Sequence, residues 1–195
     1  MHLALNNRFT EEEDSVEHKL KTISASGIAE ALSKAQLYRY LREPEESESI
    51  CQDILATDPE NQAALRLLGL SITDQFTGDV QDRYAEVEAI FRRLTSTYAQ
   101  HYYLGILSER RGKAQMRAGR PAYVVVALIE EAMRHFAEAE KIRPEANEES
   151  ILRWNRCVRL LEKLPRGTWQ EPEAAFDNDD TAPIDLIRRP ANAPR

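Results

Sequence analysis

The chain has 195 residues, 42% hydrophobic and 30% charged, which allows one domain with a full core and excludes a chain disordered throughout. A net charge of −7 argues against bulk attraction to nucleic acid or to an anionic membrane. No apolar run reaches the roughly 18 residues a membrane-spanning helix needs, and Met1-His2-Leu3-Ala4-Leu5 gives way to Asn6-Asn7-Arg8 without the apolar core of a secretion signal.

In chain order, Thr10 and Glu13 stand at capping-box spacing, and Val16, Leu20 and Ile23 share one helical face. A short helix over 11–24 is predicted within an N-terminal segment 1–27, ended by Ser24-Ala25-Ser26-Gly27. The next helix is expected to bury Ala31, Ala35, Tyr38 and Leu41, and to turn at Arg42-Glu43-Pro44. Its partner carries Ser47, Cys51 and Ile54 on one face and closes at Asp58-Pro59. A second pair opens at Gln62 with Leu65, Leu68, Gly69 and Ile72 inward. It turns at Thr77-Gly78-Asp79 and returns as a helix over Tyr84–Tyr98 with Val87, Phe91 and Leu94 inward.

The third pair carries Leu104-Gly105 on its first helix, and Ala132, Phe136 and Ala139 on its second. Both helices are expected to be lengthened and to meet at Gly119-Arg120-Pro121. A last helix over 146–164, with Ile151, Trp154, Val158 and Leu161 apolar, covers the open end. Residues 165–195 hold five of the nine prolines, and 170–187 hold six acids and no base, so a tail without a fold of its own is predicted. Trp169, Phe176, Ile184 and Leu186 are apolar beads in that tail, able to dock on the body. Cys51 and Cys157 lie at helix-pattern positions outside any C-x-x-C or Cys/His cluster, so buried thiols in a reducing, cytoplasmic setting are expected.

Two patterns recur along this string of helices. Ala132, Phe136, Ala139 and Pro144 repeat the offsets of Ser47, Cys51, Ile54 and Pro59. Lys34-Ala35, Leu68-Gly69 and Leu104-Gly105 return at intervals of about 34 to 36 residues. On these residues, the stretch 28–164 resembles the tetratricopeptide repeat (TPR) family of helix–turn–helix units. The resemblance implies an all-α, right-handed superhelix of about three antiparallel helix pairs, a TPR-like α-solenoid with capping helices. From Leu104 to Pro144 the chain exceeds the family spacing by about 15 residues, which fall around 109–122.

In this family the first helix of each unit lines a concave groove that receives a peptide, so a non-enzymatic protein–protein interaction module is implied. The groove positions carried over by register are Gln36, Arg39 and Tyr40, then Arg66, Leu70, Thr73 and Asp74. They continue as Tyr102, Tyr103, Ile106, Glu109 and Arg110, with Asn155 and Arg159 on the last helix. Arginine and tyrosine suit this role, combining contact area with directional donors. Family members that clamp a chaperone's terminal carboxylate use lysine and asparagine where this chain has Leu32 and Gln36, so that ligand is not implied.

Arg110, Arg111, Lys113, Arg117 and Arg120 form a basic run in which 110, 113 and 117 share a helical face. The run is expected to be a solvated face or a site for an acidic partner, and one candidate partner is the chain's own segment 171–180 (EPEAAFDNDD), folded back over the groove or this run as a competitor. Two other readings are a chaperone for a secreted or assembly-prone client and an RNA-contacting adaptor using the 110–120 run, although no aromatic residues interleave it. His2, His18, His101 and His135 share no catalytic or metal-ligand spacing, and no G-x-S-x-G, P-loop or G-x-G-x-x-G is present. No enzymatic activity, metal or cofactor is expected.

Overall fold

A computed structural model describes residues 18–79 and 82–169. Among them lie seven α-helices and no strand: α1 (Ile28–Tyr40), α2 (Pro44–Thr57), α3 (Gln62–Asp74), α4 (Tyr84–Arg92), α5 (Thr97–Arg117), α6 (Ala122–Lys141) and α7 (Glu149–Leu161). Single 3₁₀ turns occupy Ala25–Gly27 and Arg166–Thr168. Each α-helix packs on the next one in sequence, and α1 and α3, then α3 and α5, also touch.

The ends of the helices follow local chemistry. Pro44 stands in the first turn of α2, where its missing N–H costs nothing. The side chain of Asn61 accepts from the Ala64 amide at 3.0 Å to start α3, and Ser96 does the same for α5 from Ala99 at 3.3 Å. Helices α1 and α5 end in the same left-handed motif. The Arg42 and Glu43 amides donate to the carbonyls of Arg39 and Tyr38, and the Gly119 and Arg120 amides to those of Met116 and Gln115.

The residue in the left-handed position is Gly119 (φ 72°) after α5 but Arg42 (φ 64°) after α1. A side chain there crowds the backbone. Arg42→Gly is therefore expected to raise the unfolding free energy by about 0.5 kcal/mol or more, and Gly119→Ala to lower it by about 1 kcal/mol. Urea denaturation checks both signs, and nothing else crowds a Cβ at Gly119.

The core forms around two phenylalanines. Phe91 of α4 lies fully buried in a cluster with Ala35, Cys51, Leu65, Leu68, Val87 and Leu104. Phe136 of α6 lies fully buried in a second, with Tyr102, Val125, Ile129, Ala132, Ala139, Cys157 and Leu160. Leu70 and Tyr103 pack against both. Each ring fits only because the facing helix has glycine. A Cβ on Gly69 would stand 2.3 Å from Phe91 Cε1, and one on Gly105 would stand 2.5 Å from Phe136 Cε1. Small residues do the same between α2 and α3, where Ser47 and Ser71, both fully buried, share a hydrogen bond of 2.8 Å. Burial pushes both thiols, Cys51 and Cys157, up to about 12, so they stay protonated and inert.

Helices α5 and α6, with 21 and 20 residues, exceed the 13 and 14 of the first pair. The added turns of α5 rest on the loop after α3. Gly78 (φ 91°) approaches so closely that a Cβ there would meet the Ala114 carbonyl oxygen at 2.6 Å. Gln115 donates to the Gly78 carbonyl at 3.2 Å, and Arg117 to that of Phe76 at 3.0 Å. The Asp82 carboxylate holds the loop, accepting from the Gly78 amide at 2.7 Å and the Tyr84 hydroxyl at 2.6 Å. Burial would raise its pKa, but these donors hold it below the ordinary carboxylate value.

Four expectations need correction. The described part of the predicted first helix, residues 18–24, is not helical, and Leu20 is 96% exposed; 11–17 lie outside the described residues. With Leu20 left uncovered, so short a helix is marginal. Leu41 caps α1 and is 57% exposed rather than buried. The return helix ends at Arg92 instead of Tyr98. Gln62 accepts from the Thr95 amide at 2.7 Å, Gln100 donates to the Leu94 carbonyl at 2.6 Å, and Ser96 restarts the chain as α5. The last helix is shorter than 146–164, and its fully buried positions are Ser150 and Cys157, with Leu160 and Leu161 nearly so. Of the tail, Trp169 packs on the second cluster and donates to the Leu164 carbonyl at 3.4 Å. Phe176, Ile184 and Leu186 lie outside the described residues.

Candidate functional site

Because α1 touches α3 and α3 touches α5, these helices present one shared face, and Arg153 of α7 reaches it by bonding Glu109 of α5 at 3.3 Å. Three hollows run along this face. The first, about 330 Å³, is lined by Leu32, Gln36, Arg39, Ala63, Arg66, Leu67, Leu70 and Tyr103. The second, also about 330 Å³, is lined by Arg39, Arg42, Pro44 and Asp74. The third, about 270 Å³, is lined by Thr73, Asp74, Arg110, Lys113, Arg117 and Arg153. Arg39 belongs to the first two and Asp74 to the last two, so the hollows adjoin.

Two carboxylates organise the cations. Asp74 accepts from Arg39 Nε at 2.7 Å and pairs with Arg110 Nη1 at 2.6 Å. Arg110 also donates to the Leu70 carbonyl at 2.9 Å and to the Thr73 hydroxyl. Burial, with Arg39 and Arg153 nearby, holds the Arg110 guanidinium below its ordinary pKa, against the opposing pull of Asp74. Glu109, whose side chain is 1% exposed, pairs with Lys113 one turn on and with Arg153 across the helix boundary. Arg117 bonds the Phe76 carbonyl. Burial raises the Tyr103 phenol above its ordinary pKa, so it stays neutral.

Of the residues expected in the groove, Gln36, Arg39, Arg66, Tyr103 and Arg110 line these hollows, as do Leu70, Thr73 and Asp74. The others stand elsewhere. Tyr40 is 74% exposed and accepts from Gln36 Nε2 at 3.2 Å. Tyr102 is buried between α5 and α6, 6.0 Å ring to ring from Phe136. Ile106 is a core residue. Asn155 and Arg159 are exposed on α7, outside the hollows, and Arg153 takes the place expected for them.

The sequence held a signal for Arg153. It lies four residues before Cys157, a thiol expected to be buried, which places it toward the inward side of α7.

The basic run divides. Arg110, Lys113 and Arg117 line the third hollow together. Arg111 instead sits over the Tyr84 ring, 4.4 Å from its centre, and Arg120 is exposed beyond the end of α5. His101 and His135, separate in sequence, have their ring centres 6.0 Å apart between α5 and α6, and neither lines a hollow. Among the described residues no group of three or more His, Cys, Asp and Glu side chains is placed to hold a metal, and no helix is long and apolar enough to cross a membrane.

No protein-family model matches the chain, and no curated protein or solved structure does.

Proposed function

We propose that this protein is a non-enzymatic interaction module, a TPR-like right-handed superhelix of antiparallel helix pairs that holds an acidic peptide segment of a partner along the face of α1, α3, α5 and α7. One observation carries the reading: the charge of the hollows opposes that of the chain. Seven basic side chains, Arg39, Arg42, Arg66, Arg110, Lys113, Arg117 and Arg153, line them beside the single carboxylate of Asp74, on a chain of net charge −7. Such segregation attracts an acidic ligand to one face and repels it from the others. Leu32, Leu67, Leu70 and Tyr103 add apolar floor to the first hollow, which suits a side chain inserted between charged neighbours.

The segment 171–180 of the chain itself has the matching charge and would compete for the same face. A second reading, a chaperone for an assembly-prone client, draws on an apolar hollow of about 420 Å³ lined by Met133, Ala137 and Trp154 with Glu130, Arg134 and Glu138 at its rim. An RNA adaptor has less behind it, since Arg111 stacks on Tyr84 and Lys113 is tied to Glu109.

Fluorescence anisotropy with a labelled EPEAAFDNDD peptide tests the main reading on the full chain. Arg66→Glu is expected to weaken binding about tenfold, and added salt to weaken it further. Arg92→Glu, on the exposed side of α4, makes the same charge change and should leave binding nearly intact. Equal losses from both variants would reject the groove. In the full chain, replacing Glu171, Glu173, Asp177, Asp179 and Asp180 by their amides should tighten binding if the tail competes.

A further inference from the structure

We propose that the third hollow, between α3, α5 and α7, is a binding site for a phosphate-monoester dianion. The peptide-binding reading enters only in naming the source of that phosphate, a phosphorylated side chain on the bound segment; the anion site rests on its own geometry.

Four cations line it, and a fifth stands behind Asp74. Arg110, Lys113 and Arg117 come from one face of α5, Arg153 from α7, and Arg39 approaches through its bond to Asp74. Asp74 and Glu109 are the only carboxylates paired with them in the described structure, and Glu109 is enclosed beneath Lys113 and Arg153. The four lining cations against these two carboxylates leave a surplus of two positive charges around a hollow of about 270 Å³. Mutual repulsion among cations that line one hollow is costly, more so where water is scarce. A single carboxylate leaves half of that surplus standing. A phosphate monoester brings close to two negative charges and three acceptor oxygens in one compact group.

The donors are also suitably placed. Arg117 is held by a neutral carbonyl, so its charge has no counter-ion within that bond. Arg110 is fixed by three acceptors, Leu70, Thr73 and Asp74, which anchor the guanidinium before a ligand arrives. Arg110, Lys113 and Arg117 lie where α5 outruns the repeat length, so the added turns supply the site.

Thermal unfolding of the full chain in inorganic phosphate, against sodium chloride of equal ionic strength, is the first test. Above the second phosphate pKa of about 6–7 the dianion should raise the midpoint in a saturable way, by several degrees more than chloride. Arg111→Gln, on another side of the same helix, should keep that shift, whereas Arg117→Gln and Arg153→Gln should each cut it by about half or more. Equal shifts in all four proteins, or a phosphate effect no larger than that of chloride, would overturn the site while leaving the acidic-peptide groove intact. Two readouts guard against a misfolded variant, since Arg117 and Arg153 sit on different helices.

The source is then read by anisotropy with a labelled phosphoserine peptide and its serine and aspartate versions. Binding at least about tenfold tighter for phosphoserine than for aspartate supports phosphate recognition on a peptide. Equal binding of phosphoserine and aspartate peptides overturns the phosphate preference. A phosphopeptide no tighter than inorganic phosphate overturns the peptide as source.

Discussion

Phe136→Ala is expected to lower the unfolding free energy by about 4 kcal/mol, the scale for emptying a fully buried aromatic site. The ring touches the walls of the second cluster from α5 through α7, so no single neighbour can collapse into its space. Its fit against Gly105 makes a sharper experiment. In the native chain Gly105→Ala brings a methyl within 2.5 Å of the ring and should cost about 1–3 kcal/mol by overpacking. In the Phe136→Ala background the same methyl enters an empty space, and the cost should vanish or change sign. A coupling of about 1 kcal/mol or more in the double-mutant cycle, from urea denaturation of the four proteins, is the expected result. Additive losses would mean that Gly105 does not owe its place to Phe136.

Glu109→Ala is the second large effect, expected at about 3 kcal/mol. This buried carboxylate answers Lys113 on its own helix and Arg153 on α7, so its removal leaves two cations facing each other. The figure sits at the low end for a broken buried pair, because both cations keep some exposure and can turn toward water. Lys113→Met with the carboxylate retained should cost less, since Arg153 still neutralises it. The same variant separates stability from binding. Glu109→Ala makes the third hollow more positive, so at a temperature where the fold persists it should bind the acidic peptide more tightly, as anisotropy would show.

The helix pairs were legible because their signal is local. Ala35, Gly69 and Gly105 stand where a partner helix approaches, and Cys51, Phe91 and Phe136 stand opposite; each is fully buried or tightly faced. The turn at Gly119-Arg120-Pro121 and the lengthened α5 and α6 could be read for the same reason, from a glycine and a proline that end helices. The start of α5 was less legible. Ser96 is a good cap, but the apolar Leu94 two residues earlier continues the stripe of α4 across the break. What decides the break is Gln62, distant in sequence, whose amide oxygen accepts from the Thr95 N–H.

The site divides along the same line. Gln36, Arg39, Arg66 and Tyr103, expected on one face, line the first hollow together, whereas Asn155 and Arg159 stand outside the three hollows. One residue turns a helix by about 100°, so a small error in register exchanges the inward and outward sides of α7. Tyr102 and Tyr103 show how narrow the margin is: adjacent in sequence, one fills the second core and the other lines the first hollow.

By itself, the sequence determined that this chain makes helix pairs, where most of them turn, and which small residues admit the large ones, because periodicity, caps and side-chain volume act over a few residues. The rotation of α7, the burial of Glu109 beneath Lys113 and Arg153, and the gathering of cations on one face of an acidic protein came only with the tertiary structure. Those features depend on distances between residues about 40 positions apart, which helix packing sets and no local pattern encodes.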